Sequence, residues 1–485
     1  YNVIHWTHRS TRGWSYGTSV VDPRTGEILK GNVNLGSLRL RQDHLIGTGL
    51  GPAPHAACSV SATPGFAYLA RTAGTDPVEM ALARVRQLSA HEVGHTLGFP
   101  HNYIASTYDR GSVMDYPAPR VRIADGAPDL SDAYGIGIGA YDAHATNWLY
   151  REFPPGTDEA AALDAIVRDG EARGLRYIDH VDNAFTGAAH EHASVWDNGA
   201  DLVEELERVL DVRRIGLESF STDSLPPGAP LGDLEQVLLP LYLHHRYQLS
   251  AAVQSLGGAD WRYALVGDPD PPLVPVAPEK QRRALDLVLR TLDVEFLTLP
   301  EQVRTLLAPG TPYNDSVGLT RSAVERFPRE TGVTFDPMMA ASVAADFSVK
   351  ALLHPQRLAR LAAPRGAGDP PDVAEVVDRL LVATWGAPLP EAPHRAEILR
   401  TVRGVVLTRL TEQATHHPSA QVRAVLGDRL LDLAAQLEET PRATPHDRLA
   451  VSDIRRWENR PAPPVAPPSL PDTPQGSPIG GSAQG

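Results

Sequence analysis

The segment HEVGHTLGFPH, residues 91 to 101, carries the residue types and the spacing of a metal site. His91 and His95 are four apart. On a helix both imidazoles then project from one face about one turn apart, where a single tetrahedral Zn2+ can take a nitrogen from each. Gly98 permits a left-handed backbone turn that a side chain would penalise, so the chain can leave the helix sharply and bring His101 back as a third ligand. Three protein ligands leave a fourth position for water, the arrangement of a catalytic zinc; structural sites usually fill all four positions and favour cysteine. Glu92, beside His91, can reach water held there. Zinc lowers the pKa of such a water to roughly 7, and a carboxylate can take its proton and pass it to a leaving amine. Alternatively, Glu92 merely caps or solvates the helix face. A bare HExxH arises by chance, whereas five specified residues ending at a glycine that stops the helical pattern point to zinc far more specifically.

The helix that must carry these groups is legible. Asp76 is a good N-cap, Pro77 suits the first helical position and Glu79 completes a capping-box spacing. Val78, Ala81, Leu82, Val85 and Leu88 recur three and four apart, and the run continues to Leu97 before Gly98 stops it. Upstream, YNVIHWTH, WSYGTSVV and EILKGNVNLG read as three short strands, the last two separated by a DPRTG turn. Asn32, Val33, Asn34 and Leu35 alternate polar with apolar, so residues near 28 to 35 are expected to form a sheet edge to which an extended peptide adds a strand. Residues 99 to 140 read as loops, followed by a short helix in AYDAHATNWLY. Beyond about residue 155 the spacing is helical, with Pro-rich breaks near 270 and 368 and no fixed-period repeat. The stretch from Pro461, dominated by Pro, Gly and Ser, is expected to be disordered.

The eleven-residue string resembles the signature of the metzincin metallopeptidases, which follow the helix with a methionine-containing turn beneath the metal. SVMDYP, residues 112 to 117, stands in that place, with Met114 thirteen residues after His101. The resemblance implies that Met114 supports the ligand imidazoles without binding zinc. It also implies that Tyr116 matches the tyrosine that astacin-like, serralysin-like and pappalysin-like metzincins place near the metal, where its hydroxyl can ligate zinc or hydrogen-bond the oxyanion. From the residues alone, Met114 could be an ordinary core methionine and Tyr116 a packed ring. The opening WTHRSTRGWSYGTSVVDPRTGEILKGNVNLGS, the SVMDYP turn, the helix IGAYDAHATNWLYREF and the later segments RYIDHVDNAF, WDNGADLVEEL and QRRALDLVL look like a bacterial Met-zincin family of zinc-dependent metalloproteases. The likeness covers residues 1 to about 360.

That resemblance implies an α/β (α+β) metzincin-like catalytic domain over residues 1–153 and a mainly α-helical family-specific region over 154–360; beyond it, helical spacing gives a C-terminal helical region over 361–458 and composition a disordered Pro/Gly/Ser-rich tail over 459–485. It implies a zinc endopeptidase acting on a peptide or protein substrate, with zinc on His91, His95 and His101, Glu92 as general base, Tyr116 on the oxyanion, and an exported location. The alternative is a non-catalytic zinc-bearing peptide-binding or scaffold protein on the same fold, against which an intact Glu92 argues. Asn102, after the third histidine, does not assign the chain to a better-known metzincin branch. Metzincins normally have a strand and a backing helix ahead of such strands, so the resemblance implies either that the chain starts inside the domain or that this protein completes its sheet differently.

Composition bounds the rest. The 485 residues carry a formal net charge of −14 and no long basic run, which argues against a nucleic-acid partner. No apolar stretch approaches the length of a membrane span. The single cysteine, Cys58, excludes an internal disulfide and has no histidine at a recognised catalytic spacing. The start at Tyr1, with neither initiator methionine nor apolar leader, leaves localisation open, and oligomeric state is not legible. His5, His8 and His144 read as packed or solvated, and His244 and His245 as residues of a core edge. His180, His190 and His192, with Asp179, Asp182 and Asp197, crowd one segment, but their spacing fits neither a zinc helix nor a calcium loop. WDNGAD reads as a turn at Asn198 and Gly199, with Asp201 capping the next helix.

Overall fold

The computed structural model describes residues 1–8, 15–50, 77–179, 187–225, 227–310, 326–363 and 368–460. Three strands open the chain: β1 (Val3–Thr7), β2 (Tyr16–Val21) and β3 (Ile28–Gly36). Their order is β1-β3-β2, with β3 parallel to β1 and antiparallel to β2. The strand expected at the edge is therefore the central one, and among the described residues β2 is an edge. Alternation along Asn32–Leu35 specifies two faces of a strand, and is silent on how many neighbours its backbone has. The opening residues supply the second neighbour, as Val3 to Thr7 pair in register with Asn32 to Gly36 and Asn2 accepts the Gly31 N–H at 2.8 Å.

The long helix, α2 (Pro77–Thr96), lies across this sheet. Asp76, the expected N-cap, lies outside the described residues. Leu88 of α2 packs with Val33 and Leu35 of β3. Two glycines let the C-terminal half of the helix press on the strands. A Cβ on Gly17 would sit 1.9 Å from the Glu92 carbonyl oxygen, and one on Gly31 would sit 3.1 Å from the Thr96 Cβ. Helix α1 (Ser37–Leu50) follows β3 directly and packs on α2; its sequence, with Gly47 and Gly49, gives no strong helical signal. Gly49 has a packing reason, since a Cβ there would come within 3.0 Å of the Val237 carbonyl oxygen.

After α2 the chain runs through a 3₁₀ turn, Ala105–Tyr108, and a small hairpin, β4 (Arg122–Ala124) with β5 (Ala127–Asp129). It then enters α3 (Ala140–Tyr150), the helix expected over AYDAHATNWLY. Asp142 ties the start of α3 to the methionine turn: its carboxylate accepts the Gly139 N–H at 2.7 Å, the Val113 N–H at 2.8 Å and the Ser112 hydroxyl at 2.6 Å. From Glu159 to Glu458 the described residues are mainly helical, with a short hairpin, β6 (Ala259–Trp261) and β7 (Leu273–Pro275). Asp201 caps the helix Leu202–Ser219, as its position after Gly199 implied. No described helix is long and apolar enough to cross a membrane.

The chain divides into two compact units, Tyr1–Arg409 and Leu410–Gly485. In the second, the helices Ala420–Glu438 and Pro445–Glu458 bury Leu426, Leu430, Ala450 and Ile454. The ring of Trp457 lies against Gly427, and Arg455 pairs with Glu438 at 2.9 Å.

Candidate metal centre

Helix α2 carries His91 and His95 one turn apart, and the chain reverses immediately after it. Gly98 has φ +88°, the left-handed conformation that its place in the sequence suggested. The Phe99 N–H then bonds the Gly94 carbonyl at 3.1 Å, and His101 comes back to the helix. The Nε2 atoms of His91 and His95 are 3.1 Å apart, as are those of His95 and His101. Zn–N bonds of 2.0–2.1 Å at tetrahedral angles would separate ligand nitrogens by about 3.3 Å, so the three imidazoles fit such an ion. Among the described residues they form the one cluster of three or more histidine, cysteine or acidic residues able to hold a metal.

The remaining ring nitrogens fix the orientation. His91 Nδ1 lies 2.6 Å from the Val113 carbonyl and His95 Nδ1 lies 2.8 Å from the Phe99 carbonyl. Donation from Nδ1–H leaves each Nε2 lone pair facing the centre. Burial, with His95 and His101 nearby, holds His91 well below the usual imidazole range and hence neutral, the form that binds metal. Met114 lies beneath, 1% exposed; a Cβ on Gly94 would stand 2.3 Å from its sulfur. The first glycine of HEVGHTLG thus leaves the space that Met114 occupies.

Glu92 is buried, and its carboxylate accepts the Gly17 N–H of β2. Burial raises its pKa to about 7. The Tyr116 ring stacks on His91 at 4.7 Å and 27°, and lies tilted 4.7 Å from His101. Burial, and then the charge of Glu92, push its hydroxyl up to about 12, so it stays protonated at neutral pH.

Two residues around the centre have roles that the sequence reading did not foresee. Trp196 stacks on the other face of Tyr116 at 5.3 Å and 14°, and its N–H bonds the Tyr116 carbonyl at 2.8 Å. Its backbone sits at φ +65°, unusual for a residue with a side chain, and the Arg39 guanidinium lies 4.4 Å from its ring. WDNGAD signalled only a turn, and nothing in it reveals which residue takes the left-handed conformation. Asn102 is fully buried: its Nδ2 donates to the Arg176 carbonyl at 2.9 Å and the Tyr108 hydroxyl at 3.0 Å, while Oδ1 accepts the Ile178 N–H at 3.2 Å.

The other histidines go elsewhere. His190 contacts the Trp261 carbonyl at 3.0 Å and Asp260 at 3.3 Å, whereas His192 meets the Ala200 carbonyl at 3.2 Å. Asp179 accepts the Tyr177 hydroxyl, and Asp197 accepts that of Ser106. These four residues do not converge on one ion. His180, Asp182 and Cys58 lie outside the described residues. His5 and His8 are exposed, His144 packs over Gly170, and His245 is fully buried.

Mixed sheet, zinc-type histidine helix, glycine exit and underlying methionine together define the class of the metzincin-like zinc metallopeptidases. The chain belongs to the Met-zincin family, whose model matches residues 74–390, more than half of its length. No curated protein and no solved structure matches it.

Proposed function

We propose that the chain is a zinc-dependent endopeptidase. The observation that carries this reading is the convergence of three imidazole Nε2 atoms beside the buried carboxylate of Glu92, held on the same helix. Zinc, when bound by His91, His95 and His101, would polarise the scissile carbonyl and make water acidic enough to lose a proton near neutral pH. Glu92 takes that proton on its carboxylate and delivers it to the leaving amine nitrogen. The Gly17 N–H fixes the carboxylate while it does so. The Tyr116 hydroxyl, protonated at neutral pH, donates to the developing oxyanion.

The substrate lies extended along β2. Among the described residues this strand is paired only on the β3 side, and Gly17 brings it against Glu92 and His95. The scaffold alternative assigns no task to a buried carboxylate poised in this way.

Cleavage of a random peptide library, with and without a zinc chelator, tests the activity, and two variants separate ligand from base. His95→Ala should lose zinc and activity together. Glu92→Ala should keep one zinc per chain while hydrolysis drops by several orders of magnitude. Absence of chelator-sensitive cleavage by the zinc-loaded protein would favour the scaffold, and near-normal turnover in Glu92→Ala would mean that another group is the base.

A further inference from the structure

Behind the methionine turn, on residues that the proposed hydrolysis does not use, two carboxylates are buried together. Asp115 follows Met114 and is 4% exposed; Asp197 follows Trp196 and is fully buried. Ser106 joins them, its N–H bonding Asp115 and its hydroxyl donating to Asp197 Oδ2 at 2.7 Å. The Tyr116 N–H donates to Asp115 Oδ1 at 2.7 Å. Among the described residues neither carboxylate forms an ion pair, and Asp197 Oδ1 has no hydrogen-bond partner. Both residues line a cavity of about 70 Å³.

Two enclosed acids without a basic partner must either take up a proton or gain a cation. The groups that bond them, the backbone N–H of Ser106, Tyr116 and Asp197 and the Ser106 hydroxyl, all donate, which suits the charged carboxylates. Arg110 and Arg120 also line the cavity, but they pair with Asp132 and Asp109. The Arg84 charge also acts on Asp115, and more weakly than burial and the Asp197 charge. Without a cation, burial and the Asp197 charge would push Asp115 well above the usual carboxylate range, and burial would raise Asp197 to about 7. A hard divalent ion neutralises both. The cavity has room for an ion and a water or two, and the ion would find carboxylate oxygens, the Ser106 hydroxyl and water as ligands.

We propose that Asp115 and Asp197 bind one calcium ion in this cavity, linking the methionine turn to the loop that carries Trp196. The site is separate from the histidine centre, and its occupancy does not depend on the proposed peptidase activity. The ion holds the backbone on either side of the Tyr116–Trp196 stack, so it stiffens the ring that covers His91.

The full chain, loaded with one zinc and dialysed against resin-treated calcium-free buffer, tests this by calorimetric titration with calcium. Zinc content is checked before and after. One saturable site is expected, with a Tm higher by at least about 3 °C at saturation. Terbium should bind the same site and emit when Trp196, the neighbour of Asp197, is excited. Calcium should quench that emission, and Asp197→Asn should abolish it at unchanged zinc content. If Asp197→Asn fails to fold, Asp115→Asn and the Tm of the unaltered chain decide the matter. No saturable calcium uptake by the unaltered chain, or uptake that persists in a folded Asp197→Asn or Asp115→Asn chain, would overturn the proposal.

Discussion

At Tyr116 one ring meets two demands. It is clamped between His91 and Trp196, as a packing residue would be, and it carries a hydroxyl that stays protonated at neutral pH, as an oxyanion donor must. Substitution separates the two. Phenylalanine keeps the ring and its stacking, so Tyr116→Phe should retain zinc and Tm while kcat falls by about one to three orders of magnitude and KM changes little. Alanine removes the ring from between its neighbours, and Tyr116→Ala should lower Tm as well. Measuring kcat, KM and Tm for both variants decides the matter; wild-type kcat in Tyr116→Phe would make the tyrosine packing alone. Trp196 belongs to the same account. Its strained backbone holds it where it confines Tyr116 from the side away from His91.

At the scale of elements, the site depends on how closely α2 approaches its neighbours. Gly94 faces Met114, and Gly17 and Gly31 face the helix from the sheet. Gly94→Ala sets two effects against each other: alanine gains up to about 1 kcal/mol of helix propensity, whereas overpacking a tight contact costs about 1–3 kcal/mol. Met114 is buried with Phe99 and Val113 around it, so the clash should win. Gly94→Ala should therefore destabilise by up to about 2 kcal/mol in denaturant unfolding and loosen zinc, and truncating Met114 in the same chain should recover part of the loss. An unaffected Gly94→Ala chain would mean that the turn yields freely. The helices were legible because their signals are local: periodicity from Val78 to Leu88, the stop at Gly98, the run AYDAHATNWLY. The histidine spacing was legible for the same reason, since one turn of helix sets it. The central place of β3 was not, because a strand's second neighbour is chosen by hydrogen bonds to residues some thirty positions away. Nor were the roles of Asn102, Asp197 and Trp196, whose partners, Tyr108 beside Asn102 excepted, lie about 70 to 160 positions distant and whose residue types suit ordinary turns equally well.

At the scale of the whole molecule, the histidine centre and the helical region after α3 are bonded to each other. The Tyr103 N–H bonds the Ile178 carbonyl at 3.2 Å, the Ser194 N–H bonds the Tyr103 carbonyl at 3.2 Å, and the Trp196 N–H bonds the Tyr116 carbonyl. Tyr103 and Ile104 are buried with Ile178 and Ala193 in one cluster. A chain ended after Phe153 would expose that cluster and leave these groups unpaired, so it should lose cooperative unfolding and hold zinc weakly, whereas the full chain should melt cooperatively and hold one zinc. Circular dichroism melts and metal analysis of the two chains check this; a shortened chain that melts sharply with one zinc would show that the first 153 residues stand alone. Asn102 makes the point in terms of descent. The residue beside the last of the three histidines spends its whole side chain on residues 108, 176 and 178. A gene rearrangement that moved the histidine helix and its loop to a new host, without the strand of chain that answers Asn102, would deliver the metal-binding residues and not the geometry. The two stretches are consequently expected to travel through evolution as one inherited piece.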